Sequence, residues 1–367
     1  MNIKIERSAL LPTLTLVSSV VEKRQTLPIL ANLYFGLVDG RLTMVGTDLE
    51  VEISESIDGV SGDNGAFTAS TRKVLDICRM LPENASISFK SDGEKVIVSS
   101  GRSRYTLKVL PADEFPRIEA DNWEERLKIS SLRLKNLLDK TAFAMAVQDV
   151  RYYLNGVLFE IGQNSLRAIA TDGHRLAQSE EPIELSTDKI RQVIVPRKAI
   201  AEIARFLGGN EETDIVIEIS KNHLRLSRDN TTLITKLIDG KFPEFKGVLD
   251  TKMAAIIPVN RATLIETLNR AAVLTTDRFK GVKLQLSNGV LSVTANNPEQ
   301  EEAFEEMEVD YSGDTIETGY NVTYLTDASR VIDTDLVSLN FQGNDGICIL
   351  RQPEDENSVW LVMPMRI

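Results

Sequence analysis

The residues whose types best suit catalysis or binding lie between Gln148 and Leu176, in the runs QDVRYYLNGVLFE and ATDGHRLA. Asp172 stands two residues before His174, a spacing that general acid–base catalysis or metal binding could use. The other histidine of the chain, His223, lies in an alternating strand pattern. The sequence has no GxSxG nucleophile elbow, no HExxH or CxxC metal motif and no GxxxxGK(S/T) phosphate loop. It therefore predicts no catalytic residues, no metal and no cofactor, and it favours a binding site.

Charge is distributed unevenly along the 367 residues, whose net charge is −12. The stretch 249–367 carries about −10 of that charge, so the first two thirds are close to neutral. An acidic protein can still present a basic surface, and the net charge therefore does not exclude nucleic acid. The basic clusters of the first two thirds are Lys23 with Arg24, Arg72 and Lys73 with Arg79, Arg102 with Arg104, and Arg197 and Lys198 with Arg205.

Hydropathy and cysteine usage favour a cytoplasmic protein. No apolar run reaches the roughly 18 residues needed to span a bilayer, and the N-terminal MNIKIERS is too charged for a signal peptide. Cys78 and Cys348 lie far apart in apolar patterns without CxxC spacing. We expect them to be buried free thiols in a reducing compartment.

The elements that would position these residues recur three times. Each third opens with an amphipathic helix whose predicted N-caps are Ser8, Ser131 and Asn260, about 125 residues apart. A strand, a turn and a strand follow, with turn signals DG, GQN and NG. A second helix and further strands complete each copy. The pattern predicts an α+β fold of three similar tandem domains, each with two helices packed on antiparallel sheet, with boundaries 1–122, 123–249 and 250–367.

Ordered motifs along the whole chain resemble one family. They are TLPIL, GTDLE, ICRMLP, SGRSRY, QDVRYYLNG, ATDGHRLA, VPRKA, DGKFPEF, TANNPEQEEA, NVTYL and VMPMR. In this order the chain resembles the bacterial DNA polymerase III beta subunits, the replicative sliding clamps. The resemblance implies the DNA clamp fold and a ring-shaped, head-to-tail homodimer that encircles duplex DNA without sequence specificity and has no catalytic site. It also implies tethering of the polymerase III alpha subunit, a clamp loader, and other polymerases and repair proteins, with ring opening by a separate ATP-dependent loader.

The resemblance implies proximity to DNA for a set of basic, polar and aromatic residues. These are Arg24, Arg72, Lys73, Arg79, Gln148, Tyr152, Tyr153, Arg197 and Lys198. The alternative for the basic members is an ordinary solvated helix face. The third copy of the second helix, NVTYLTDASRVID, carries only Arg330. A peptide-binding scaffold that does not encircle DNA is therefore the alternative function.

The resemblance also implies a dimer contact between the first domain of one protomer and the third domain of its partner. Its apolar centre would be Tyr105 and Leu107 against Val273 and Leu274. Around it, Lys73, Arg102 and Arg104 would lie near Glu299, Glu301, Glu302 and Glu305. Phe304 stands where other members can carry another acid. The alternative is that Val273 and Leu274 are core residues at a helix end.

An apolar cleft for short partner motifs is the third implication, between the second and third domains. Its residues would be Leu154, Thr171, Gly173, His174, Arg175, Leu176, Pro243, Val248, Asn321, Tyr324, Leu361, Met363, Pro364 and Met365. Methionines suit such a site because they adapt to different apolar side chains. Gly247 stands where the family can have a basic residue, and NFQGNDGICILRQ matches the family poorly, so neither is assigned to the cleft. The alternatives are core packing for the leucines and an enzyme centred on Asp172 and His174.

Overall fold

A computed structural model describes residues 1–22, 27–120, 122–162, 164–185, 189–209, 212–276 and 280–367. The chain forms two compact units, Met1–Leu132 with Lys198–Leu237, and Arg133–Arg197 with Ile238–Ile367. We call them unit 1 and unit 2. The central third of the chain contributes to both units. The boundaries that the sequence suggests for the three domains remain a prediction.

Helices and strands follow the predicted threefold repetition. The first third contains β1 (Asn2–Glu6), α1 (Arg7–Val17), β2 (Asn32–Val38), β3 (Arg41–Thr47), β4 (Val51–Ile57), β5 (Ser61–Gly62), β6 (Gly65–Ser70), α2 (Thr71–Met80), β7 (Ser86–Asp92), β8 (Lys95–Ser100) and β9 (Ser103–Lys108). The central third contains β10 (Glu125–Ser130), α3 (Ser131–Thr141), β11 (Gly156–Gly162), β12 (Ser165–Thr171), β13 (Arg175–Pro182), β14 (Arg191–Pro196), α4 (Arg197–Leu207), β15 (Asp214–Ile219), β16 (His223–Arg228), β17 (Thr231–Lys236) and α5 (Lys246–Leu249). The last third contains β18 (Ala255–Asn260), α6 (Arg261–Ala271), β19 (Gly281–Ser287), β20 (Val290–Asn296), β21 (Glu302–Glu308), β22 (Ile316–Asn321), α7 (Val322–Arg330), β23 (Leu336–Phe341), β24 (Cys348–Arg351) and β25 (Val359–Val362).

Unit 1 contains two antiparallel sheets. Their strand orders are β5-β1-β7-β8-β9 and β10-β15-β16-β17-β4-β3-β2-β6. In the second sheet, β17 of the central third pairs with β4 of the first third, with Leu233 opposite Ile53. We call this pairing the first junction.

Unit 2 repeats that construction with the orders β14-β11-β12-β13-β25-β24-β23-β18 and β21-β20-β19-β22. Here β13 of the central third pairs with β25 of the last third, and Leu176 stands opposite Leu361. We call this pairing the second junction. Each junction makes one continuous sheet from two sequence thirds, which explains why the compact units divide the central third.

The helices pack by the apolar faces that the sequence predicts. Leu10, Leu14 and Val17 of α1 are buried, as are Val74 and Cys78 of α2. Helix α1 contacts α2, and α6 contacts α7. Burial of these faces against sheet and neighbouring helix is what stabilises helices of about three turns.

One of the three predicted N-caps is confirmed. The Asn260 side chain accepts a hydrogen bond from the Thr263 amide at 3.0 Å and caps α6. The other two predictions were wrong by one or two residues. Helix α1 already begins at Arg7, after Glu6 at the end of β1, so Ser8 lies inside it. Helix α3 begins at Ser131 itself, whose hydroxyl accepts from the Thr213 amide at 3.0 Å. In both cases a strand runs directly into the helix.

Cys78 and Cys348 are free and buried, which confirms the prediction for the thiols. Burial raises the pKa of each thiol to about 12. His223 is half-buried on β16, as its alternating pattern indicated. Among the helices that the structure describes, none is long and apolar enough to cross a membrane.

Candidate peptide-binding site

The turn between β12 and β13 is fixed by its own side chains. The Thr171 hydroxyl donates to the Arg175 carbonyl at 2.6 Å and accepts from the Gly173 amide at 3.0 Å. Asp172 Oδ1 accepts from the amides of His174 at 2.9 Å and Arg175 at 3.1 Å. Gly173 has a φ of +89°, a conformation that glycine adopts without steric cost. Both carboxylate oxygens of Asp172 are thus engaged at the turn, since Oδ2 also accepts from Arg175 Nε at 3.1 Å.

A cavity of about 270 Å³ lies beside this turn, within unit 2. Its lining includes nine of the fourteen residues assigned to the cleft from the sequence, namely Leu154, Thr171, Gly173, Arg175, Leu176, Pro243, Val248, Leu361 and Met363. Four more lining residues were not assigned to it: Arg151, Tyr153, Glu244 and Phe245. Since pockets for whole drug-sized ligands are usually at least about this large, the cavity suits a few apolar side chains of a longer ligand.

The floor of the cavity belongs to a buried apolar cluster. Leu176 and Leu361 are members of it and face each other across β13 and β25. Phe242 and Phe245 belong to the same cluster, with ring centroids 6.4 Å apart in an edge-to-face arrangement. This floor is buried and apolar, so it can remove apolar side chains of a ligand from water.

Arg175 ties the turn to helix α7. Its Nε donates to Asp172 Oδ2 at 3.1 Å, its Nη1 to Asp327 Oδ2 at 2.7 Å and its Nη2 to the Phe143 carbonyl at 2.8 Å. The guanidinium also lies 4.4 Å from the ring centroid of Tyr324. Burial raises the pKa of the Tyr324 phenol, and the nearby Asp172 adds to that effect. Arg175, assigned to the cleft from the sequence, thus positions its wall.

Asn321 and Tyr324, both assigned to the cleft from the sequence, do not line the cavity. The Asn321 side chain accepts from the Thr323 amide at 2.9 Å and caps α7. Tyr324 lies on α7 and approaches the site through its stacking on Arg175.

His174, Pro364 and Met365 also lie outside the lining. His174 is exposed, and its carbonyl accepts from the Met363 amide at 2.8 Å. The Met365 amide donates to the Gly319 carbonyl at 2.9 Å. These two hydrogen bonds hold the C-terminal segment along unit 2. Met363 therefore lines the cavity, whereas Pro364 and Met365 lie beyond it.

Arg151 is a lining residue that sequence reasoning missed. Its guanidinium donates to both carboxylate oxygens of Asp149, at 3.0 and 2.8 Å, and to the Asp172 carbonyl at 3.0 Å. The hydrogen bonds from Arg151 lower the pKa of Asp149 to about 2. The local sequence Asp149-Val150-Arg151 could have indicated this position, because an aspartate can form an ion pair with an arginine two residues later. Tyr153, assigned to DNA from the sequence, also lines this cavity.

The basic residues of α2 lie on its exposed face. Arg72, Lys73 and Arg79 are exposed on one face, and Val74 and Cys78 are buried on the other. In the loop before Tyr153, Gln148 and Tyr152 are exposed too. Arg24, also assigned to DNA, lies outside the described residues.

Arg197 and Lys198 are engaged within the chain. Arg197 donates to the Ala146 carbonyl at 3.1 Å and the Met145 carbonyl at 2.9 Å. Burial lowers the pKa of Arg197, and the Arg175 charge adds to that effect. Lys198 forms ion pairs with Glu22 and Asp48. Burial lowers the pKa of Lys198, but these two acidic partners outweigh it and the net shift is upward. A contact between either side chain and DNA would therefore compete with these hydrogen bonds and ion pairs.

The residues assigned to the dimer contact lie on an edge strand of unit 1 and at the end of a helix in unit 2. Tyr105 and Leu107 are on β9, an edge strand of unit 1, where Tyr105 is 37% exposed and Leu107 is buried. Val273 is 77% exposed at the end of α6 in unit 2, and Leu274 is half-buried. Val273 is therefore no core residue of unit 2.

No group of three histidine, cysteine, aspartate or glutamate residues within the described part of the chain could hold a metal ion. His174 and Asp172 are too few ligands, and Asp172 already accepts hydrogen bonds from the turn.

Three family models match consecutive stretches of the chain. They describe the N-terminal domain of the DNA polymerase III beta subunit at residues 1–119, its central domain at 128–244 and its C-terminal domain at 246–366. The chain is 41% identical to the beta sliding clamp of Pseudomonas aeruginosa and 40% identical to that of Escherichia coli K12, each over 100% of both chains.

Solved structures agree with these matches. The crystal structure of the DNA polymerase III subunit beta from Pseudomonas aeruginosa has a TM-score of 0.97 to this chain at 41% identity, covering 100% of both. A Pseudomonas aeruginosa sliding clamp bound to griselimycin gives 0.96 at 41% identity, and Caulobacter crescentus pol III beta gives 0.95 at 35%, again over 100% of both chains. The similarity thus includes every element that builds the two junctions.

Proposed function

Because this chain belongs to the family of bacterial DNA polymerase III beta subunits, the beta sliding clamps, we propose that two copies close into a ring around duplex DNA. Its role is that of a replicative sliding clamp. The observation that carries the proposal is the match of three consecutive clamp domains, end to end, at a TM-score of 0.97. The ring works in the bacterial cytoplasm, and its domains extend over residues 1–122, 123–249 and 250–367.

Edge strands and their charges support a head-to-tail dimer. Strand β9 ends its sheet in unit 1 and β21 ends its sheet in unit 2, so each has backbone groups available for a strand of another copy. Arg104 on β9 is exposed, and β21 carries Glu302, Glu306 and Glu308 in exposed positions. Opposite charges of this kind guide assembly and fix its register. Val273 supplies an exposed apolar group beside them.

A clamp must hold DNA without stopping on one sequence. Contacts between lysine or arginine and phosphates give affinity but carry no sequence information. Arg72, Lys73 and Arg79 on α2 are exposed and suit this role. Arg197 and Lys198 would contribute less, because they already have partners within the chain.

The cavity at the second junction is the proposed docking site for the replicative polymerase, the clamp loader and other DNA polymerases and repair proteins. Its apolar floor and the methionine at its rim suit the apolar side chains of short peptide segments. Griselimycin is proposed to bind this chain as well. The clamp has no chemistry of its own and needs none for this function.

Solution mass tests the ring. Sedimentation equilibrium should give twice the chain mass of 40.8 kDa. Val273→Asp should shift the equilibrium to monomer by placing a charge in the contact. Ile256→Asp is the matched control, since Ile256 is also an exposed apolar residue of unit 2 and should leave the dimer intact. A wild-type monomer at micromolar concentration would refute the proposal.

Peptide titration tests the cleft. Met363→Ala, or deletion of the last five residues, should weaken binding of a labelled peptide with adjacent Leu and Phe side chains, while the dimer remains. Met80→Ala, at an exposed methionine of unit 1, is the control. Unchanged affinity in the Met363 variants would refute the assignment of the cleft.

A further inference from the structure

The two junctions have the same backbone construction. At the second junction the Met363 amide donates to the His174 carbonyl at 2.8 Å, just beyond the pairing of β13 with β25. At the first junction the Lys236 amide donates to the Glu50 carbonyl at 2.9 Å, just beyond the pairing of β4 with β17. Positions of one junction can therefore be compared with positions of the other, residue by residue.

The Thr-Asp turn that forms one wall of the cavity at the second junction has a counterpart at the first junction. The Thr47 hydroxyl donates to the Val51 carbonyl at 3.1 Å and accepts from the Leu49 amide at 3.0 Å. Asp48 Oδ1 accepts from the Val51 amide at 2.7 Å. Leu49 has a φ of +76° where Gly173 has +89°. The first junction thus keeps the Thr-Asp turn, with a leucine in place of the glycine.

The opposite wall is the linker that follows each set of strands. Phe115 and Phe242 are both buried, and each is followed by a proline, about 127 residues apart. By this spacing Arg117 corresponds to Glu244, and Ile118 to the buried Phe245. At the second junction this linker lines the cavity, and the Glu244 side chain is 85% exposed. There the linker packs Phe245 into the same buried cluster as Leu176 of β13, and the Glu244 side chain makes no hydrogen bond to β13 among the described contacts.

The junctions differ at the position of Leu176. Leu176 stands opposite Leu361 in the cavity floor, whereas the equivalent Glu52 stands opposite Ile234. The Glu52 side chain is 2% exposed. A buried carboxylate needs charged or hydrogen-bonding partners to offset its lost hydration. The segment that supplies those partners is therefore held close to Glu52.

Glu52 obtains its partners from the linker. The Arg117 Nε donates to Glu52 Oε1 at 3.0 Å, and its Nη2 lies 2.9 Å from the same oxygen. The Ile118 amide donates to Glu52 Oε2 at 3.0 Å. One carboxylate therefore holds both a side chain and the backbone of the linker against β4. We call this set of three residues the linker latch.

We propose that the first junction is a second apolar peptide cleft, of the same class as that at the second junction, which the linker latch holds shut. The proposal rests on the proposed peptide-binding function of the second junction. The parts of a cleft are retained there: the turn with Thr47, the buried Leu30 of the preceding 3₁₀ turn, and the proline of the linker. With the latch closed, each protomer offers one cleft instead of two. The latch also fixes the linker between the first and central domains.

Release of the latch tests the proposal directly. The parent is the chain without its last five residues, in which binding at the second cleft is weakened. Glu52→Ala in this parent should raise amide hydrogen exchange at Ile118 at least tenfold. It should also create a new site that binds one labelled Leu-Phe peptide per chain, above the weakened binding that the parent retains. Arg126→Glu, at an exposed arginine of unit 1, is the control and should change neither.

Two results would overturn the proposal. One is unchanged exchange at Ile118, which would mean that Glu52 does not hold the linker. The other is faster exchange without additional peptide binding, which would mean that no cleft lies beneath it. Arg117→Glu provides a second route, because Arg117 is at the surface and its reversal repels Glu52 without altering β4. It should act in the same direction, and its failure to do so while folded counts against the latch.

The outcome for the second junction is read separately. If the undeleted chain binds no peptide, the proposed function of the second junction fails whatever Ile118 does. If it binds one peptide per chain, and the released variants bind no more peptide than the deleted parent does, only the present proposal fails. The reverse exchange adds a check: Leu176→Glu combined with Glu244→Arg should abolish peptide binding and protect the Phe245 amide.

Discussion

Arg175 and Asp327 form an ion pair with an Nη1–Oδ2 distance of 2.7 Å that joins the Thr171–Arg175 turn to helix α7. The Arg175 side chain is 13% exposed, so the pair lies largely out of water. The same guanidinium holds Asp172 of the turn at 3.1 Å. The wall of the cleft is thus positioned by a residue of the last third of the chain.

Arg175→Ala should destabilise the protein by about 3 kcal/mol, because it leaves two carboxylates without their shared partner in a largely buried site. It should also weaken peptide binding, since the turn loses its tie to α7. Chemical denaturation and peptide titration measure the two effects. Arg330→Ala, at an exposed arginine on α7, is the control and should cost less than about 0.5 kcal/mol. Equal stability of the two variants would contradict the role assigned to Arg175.

Gly173→Ala should reduce peptide affinity about tenfold. The left-handed backbone costs alanine about 1–2 kcal/mol. The new Cβ would also lie 2.9 Å from Arg151 Nη1 and displace that side chain at the cavity. Gly247→Ala is the matched control, because a Cβ there would meet no atom within 4 Å. If both variants bind peptide as the wild type does, neither the turn nor Arg151 shapes the cleft.

Both thiols should be unreactive in the native protein at pH 8. Burial raises the pKa of Cys78 and Cys348 to about 12, so only about one in ten thousand molecules of each thiol is ionised there. The rate of reaction with a disulfide reagent should rise with pH and should become fast at pH 8 once denaturant unfolds the chain. Rapid labelling of either cysteine in the folded protein would show that its surroundings open readily.

Much of the fold could be predicted from local patterns in the sequence. The hairpin turn signals, the apolar helix faces and the Asn260 cap each depend on a few neighbouring residues. Helix starts were less certain where a strand runs straight into a helix, as at Arg7. The pairings of β17 with β4 and of β13 with β25 join distant segments, and no local pattern specifies which strand edges meet.

From the sequence, site residues could be assigned only where they fall within motifs of the resembled family. Leu176 and Leu361, which were assigned to the cleft because both fall within motifs of the resembled family, line the same cavity. Arg151 was missed and Tyr153 was assigned to DNA, although both line the cavity, because the direction in which a loop side chain points depends on tertiary packing. The partners of Lys198 could not be foreseen for the same reason, since Glu22 and Asp48 lie far from it in sequence.

Retention on DNA of different topology tests the central claim most directly. The clamp is loaded onto nicked circular DNA by a clamp loader with ATP, the free protein is removed by gel filtration, and half of the sample is then linearised with a restriction enzyme. A closed ring should stay on the circles and leave the linear molecules by sliding off their ends, with little dependence on salt on the circles. Equal loss from circular and linear DNA would contradict encirclement and favour a scaffold that binds peptides without enclosing DNA.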